Sequence, residues 1–87
     1  MERFNKLVSE QLKTMDRLLF LEEELERCRA IEEELIELEN KAKLSSIRDE
    51  IRQVKTQLKE IQLIFEKQTE EVIQAYRLSE QNMYEPS

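Results

Sequence analysis

The chain has 87 residues with no glycine, no histidine and one proline, and charged and apolar residues each make up 39% of it. Lacking the residues of tight turns and strand hairpins, it reads as all-α and as a single domain over 1–87. The formal net charge of −6 repels a phosphate backbone and argues against nucleic acid. The longest apolar run, Leu18-Leu19-Phe20-Leu21, is far short of the ~20 residues that span a bilayer. No secretory pattern follows Met1-Glu2-Arg3, so the expected location is cytoplasmic and no membrane insertion is expected.

A first helix is predicted over about 3–40. Its apolar face is wide, because Phe4, Leu7, Leu18, Leu21 and Leu25 form one row and Val8, Leu12, Met15 and Leu19 form a second beside it. Further along, Cys28, Ile31, Leu35, Leu38 and Ala42 continue an apolar stripe. A lone cysteine makes no internal disulfide, and at this position Cys28 reads as a small hydrophobe in the packing.

The pattern breaks at about 41–45. Projected forward, the first stripe meets Ser45 and Asp49, whereas a new stripe starts at Leu44, a phase slip of two residues that a turn resets without strain. Lys41 and Lys43 suit the negative end of one helix, and Ser46 with Asp49 suits the start of another, with Ser46 as N-cap. Charge points the same way: residues 22–39 carry nine acids and two bases, residues 41–59 six bases and two acids. Folding the chain at the break sets the acidic block beside the basic one. An antiparallel pair of straight helices satisfies the same charge pattern.

A second helix is predicted over about 46–81, with a heptad stripe through Leu44, Ile47, Ile51, Val54, Leu58, Ile61, Phe65, Gln68, Val72 and Ala75. Leu63, Ile64, Ile73 and Tyr76 are surplus to it and gather away from the bend. The tail, 82–87, is expected to fray. The resulting architecture is an antiparallel two-helix hairpin, coiled-coil-like. Because two helices bury only one side of each other, two hairpins are expected to dimerise into a four-helix bundle through Val8, Leu12, Met15, Leu19, Leu63, Ile64 and Ile73.

Chemistry is sparse. Without histidine there is no common general base and no usual zinc, haem or di-iron ligand, so Glu23, Glu26, Glu33 and Glu37 read as a solvated face. With no glycine loop for a phosphate and no calcium loop, no catalytic residue, metal site or cofactor is assigned. Small helical hairpins of the Spo0E-like family of aspartyl-phosphate phosphatases carry Ser-Gln-Glu-Leu-Asp, which Ser9-Glu10-Gln11-Leu12-Lys13 resembles except at its acidic residue.

A closer likeness lies in Gln11-Leu12-Lys13-Thr14-Met15-Asp16 and in the stretch Leu21-Glu22-Glu23-Glu24-Leu25-Glu26-Arg27-Cys28-Arg29-Ala30-Ile31-Glu32. These stretches resemble the YgaB-like family of short uncharacterised proteins from bacilli, over most of the first helix. The resemblance implies a small bacterial cytosolic protein and carries no active site. The expected function is therefore a non-enzymatic protein–protein interaction or structural module, a homodimer that also meets another protein. The competing classes are a small phosphatase acting on a response regulator and a holdase-like chaperone.

Overall fold

The computed structural model describes residues 2–84, with side chains described through Leu78. Two helices, α1 (Glu2–Glu37) and α2 (Lys41–Tyr84), fold back on each other as an antiparallel hairpin. The rod measures 72 × 14 × 14 Å, close to the ~66 Å that 44 residues of α2 span at 1.5 Å each.

The seam is built from one stripe on each helix. On α2 it follows the predicted spacing: Ile47, Ile51, Val54, Leu58 and Ala75 are buried, and Leu44, Ile61, Phe65, Gln68 and Val72 are half-buried. On α1 the inward residues are Phe4, Leu7, Gln11, Thr14, Leu18, Leu21, Leu25, Cys28, Glu32 and Leu35, again in steps of three and four. Two clusters form the core. Leu21 packs with Val54 and Leu58, flanked by Leu18, Leu25 and Ile61. Nearer the bend, Cys28 packs with Ile47 and Ile51, flanked by Leu25, Leu35 and Leu44.

Near the bend the α1 stripe departs from the apolar reading. Ile31, Leu38 and Ala42 are exposed, and Glu32 takes the inward position instead. Its stem lies at the seam while its carboxylate accepts a hydrogen bond from Arg48 Nε at 3.2 Å. A pattern read from apolar residues alone misses such a position, because a long polar side chain can bury its stem and keep its head in water.

The bend itself lies at 38–40, not at 41–45, and α2 starts at Lys41 rather than Ser46. The physical reason is a cap that needs no glycine. Glu39 adopts the left-handed conformation with φ 55°, its N–H bonds Ile36 O at 3.1 Å, and Asn40 N–H reaches Leu35 O at 3.0 Å. That is the Schellman pattern of a helix end. Asn40 then starts α2, because its side-chain oxygen accepts from Lys43 N–H at 3.2 Å, the bond of an N-cap. The expected N-cap, Ser46, lies inside α2. The arms are also unequal, 36 residues against 44. Of the tail expected to fray, Asn82–Tyr84 continue α2, and residues 85–87 lie outside the described residues.

Three contacts across the seam show a constant register. Phe4 meets Tyr76 with ring centroids 5.8 Å apart, Gln11 Nε2 donates to Thr69 Oγ1, and Glu32 pairs with Arg48. From Phe4 to Gln11 is seven residues and so is Tyr76 to Thr69; the remaining steps, to Glu32 and to Arg48, are both 21. The helices therefore stay in phase along the rod.

The cap makes a test. An L-residue in the left-handed region costs roughly 1–2 kcal/mol, partly offset in a glycine variant by a floppier unfolded chain. Glu39→Gly should raise stability by about 0.5–1 kcal/mol, and Asn40→Ala should lower it by about 1 kcal/mol through loss of the N-cap bond. Urea denaturation followed by circular dichroism measures both shifts.

Candidate interaction surface

With the seam as reference, helical geometry of about 100° per residue assigns every outer residue to a side. On α1, Val8 and Met15 lie about 70° from the seam and Leu12 and Leu19 about 130°, all in the same sense. They form one stripe beside the seam. Leu12 is 59% exposed, Leu19 48% and Met15 36%, while Val8 is half-buried. Asn5 precedes the stripe and Glu22 follows it, both exposed.

The partners of this side on α2 follow from the contacts across the seam. Thr69, Tyr76 and Arg48 all reach α1 from the flank that continues the stripe's side, and Ile73 lies further out on that flank. Leu63 does not belong there, since it stands nearly opposite the seam on the back of α2. Ile64 faces the other flank. The seven residues expected to form one interface are thus divided: Val8, Leu12, Met15, Leu19 and Ile73 share a side, whereas Leu63 and Ile64 point elsewhere. Tyr76, 49% exposed, which the sequence pattern leaves as surplus, joins the shared side. Its placement depends on the register of α2 against α1, which no single-helix pattern contains.

Elsewhere the surface offers little convergence. Two open grooves run along single helices, one lined by Glu26, Arg29, Ala30, Glu32 and Glu33, another by Arg52, Gln53, Thr56, Gln57 and Glu60, and a third at the bend is shared by both helices, lined by Leu35, Ile36, Glu39, Lys41, Leu44 and Arg48. Among the described residues no three His, Cys, Asp or Glu side chains gather as a metal-binding group. No helix among them is long and apolar enough to cross a membrane.

Cys28 is buried in the seam against Ile47 and Ile51. Burial pushes its thiol above the ordinary 9.0, the carboxylates of Glu50 and Glu24 push the same way, and Arg27 opposes them. A neutral, covered thiol is a poor nucleophile. It should react with a disulfide reagent at least about 100-fold more slowly in the native protein than in urea. The sign of its pH effect also follows. Native protein holds the thiol proton more tightly than the unfolded chain, so the stability it contributes is intact below 9.0 and declines as pH rises through that value toward the raised native one. Between about pH 8 and 10, stability of the natural chain should fall more than that of Cys28→Ala, measured by urea denaturation.

The similarity to known proteins spans both helices. A family model described as YgaB-like protein matches residues 3–79. The Bacillus subtilis (strain 168) protein called "Uncharacterized protein YgaB" is 55% identical over 80 residues, which cover 92% of this chain and 70% of that protein. No solved structure matches. The likeness first visible in the first helix thus extends through nearly all of the seam, and the chain belongs to the YgaB-like family.

Proposed function

We propose that this protein is a non-enzymatic interaction module of the cytosol, a stiff helical hairpin that self-associates through the outer stripe of α1. The observation that carries the reading is the stripe itself. Val8, Leu12, Met15 and Leu19 recur at the spacing of a helix-packing seam, yet they lie outside the seam that closes the hairpin. Scattered exposed hydrophobes need no explanation, whereas a contiguous stripe at helical spacing marks a surface that another helix covers.

The balance of burial supports the same reading. Among the described residues twelve large hydrophobics are exposed and only seven hydrophobic residues are buried, none of the large ones completely. A hairpin of this size therefore has a lean core, and a partner supplies what two helices cannot bury in each other. The chemistry available argues for binding rather than turnover, since the chain has no histidine and its one thiol is covered.

Light scattering tests the proposal. Replacing both Leu12 and Leu19 by Glu should yield a monomer, because burying two unpaired carboxylates costs several kcal/mol. Leu44→Glu, at the bend end of the seam, should weaken folding without preferentially dissociating the assembly. An assembly unchanged in the Leu12/Leu19 variant would refute the stripe as the surface of self-association.

A further inference from the structure

The steps from Val8 to Leu12, Met15 and Leu19 are four, three and four residues, a spacing that is the same read from either end. Such a stripe is its own complement. Turned end over end about a two-fold axis between Leu12 and Met15, it lays Val8 on Leu19 of a second copy and Leu12 on Met15 of that copy. We propose that two copies join α1 to α1 in this antiparallel register, so that the two bends stand at opposite ends of the assembly. This rests on the self-association proposed above and adds the helix and the register.

Charge favours this orientation over the parallel one. Side by side in parallel, the acidic run that starts at Glu22, Glu23 and Glu24 would face its own copy. In the antiparallel register Glu22, Glu23 and Glu24 come level with Asn5, Phe4 and Arg3 of the second copy, so that no acid stands opposite them. Asn5 and Glu22 close the stripe at its two ends, each three residues beyond the last apolar position. The same axis sets the Asn5 amide level with the Glu22 carboxylate, a donor against an acceptor.

The matching flank of α2 does not fit a second copy in this way. Gln62, Glu66 and Thr69 occupy it at the level of the stripe, and a two-fold axis there would bring Glu66 toward its own copy. The contact is consequently narrow, about four apolar residues per copy. That is small beside the roughly 1,600 Å² of a standard specific interface, so the dimer should dissociate on dilution.

Spin labels at Asp16→Cys and, separately, Ser46→Cys, each in a Cys28→Ala background of checked helicity, read the geometry by pulsed electron resonance. With light scattering showing a dimer, the Asp16 labels should lie within about 25 Å of each other, since packed helix axes are only 8–10 Å apart. Ser46 stands about 20 residues along from the axis, so its two labels should be about 60 Å apart at 1.5 Å per residue. A Ser46 distance below about 30 Å in an intact dimer would overturn the antiparallel register, and Asp16 labels beyond about 40 Å would overturn the α1–α1 contact. A monomer at every concentration would instead overturn the self-association beneath both. A second measurement leaves Cys28 in place: Asn5→Arg should tighten the dimer several-fold against Glu22 and Asn5→Glu should loosen it several-fold. Equal effects of the two would also count against the register.

Discussion

The packing of Leu21 against Val54 and Leu58, and of Cys28 against Ile47 and Ile51, holds the hairpin together. Both clusters lie in the bend half and middle of the rod. There α1 and α2 bring together aliphatic side chains of similar size, and each buried one contributes roughly 1.5–3 kcal/mol relative to exposure. Because only one side of each helix takes part, this seam must offset the conformational entropy of ordering two long arms. The seam therefore decides both what the molecule can bury and what it must leave outside.

Away from the bend the seam becomes polar, and its role changes from cohesion to alignment. Gln11 donates across to Thr69, whose own hydroxyl donates to Phe65 O at 2.9 Å, while Thr14 bonds back to Glu10 O at 3.2 Å. Gln68 Oε1 is buried with no partner among the described residues. An orphaned buried acceptor costs about 1–3 kcal/mol, which an apolar residue would avoid. Polar rungs of this kind lower stability but favour one register, because slipping by a heptad would separate Gln11 from Thr69 and set Thr69 against Leu18 or Phe4.

The α2 stripe was legible because its apolar residues mark nearly every inward position. On α1 the inward face passes through Gln11, Thr14 and Glu32, so an apolar pattern finds Phe4, Leu7, Leu18, Leu21, Leu25, Cys28 and Leu35 and skips the polar positions between them. At the bend end it takes Ile31 for Glu32 and then slips in phase, which carries the inferred turn beyond Asn40. The turn was hidden for a related reason. Its left-handed residue is Glu39, where glycine would have announced it, and its cap is an asparagine that serves both helices. Of the residues expected to form one interface, those of α1 share a stripe that a single-helix pattern can read, whereas Leu63, Ile64 and Ile73 of α2 are close in sequence but fall on different sides once the register is known.

Charge has a narrower part than its abundance suggests. Of the acidic and basic blocks laid side by side, one pair closes across the seam among the described residues, Glu32 with Arg48; the other ion pair, Asp49 with Arg52, lies within α2. Both are substantially exposed, and exposed pairs contribute about 0–1 kcal/mol each. The blocks therefore do little to hold the fold. Their effect is on which helices come together: α1 tolerates the basic half of α2 beside its acids, and it repels a parallel copy of itself. An outer stripe of apolar residues that ends where the acidic run begins at Glu22 combines these two conditions on one helix. In the proposed dimer, apolar area brings a second α1 against the stripe and the adjoining acids set its direction.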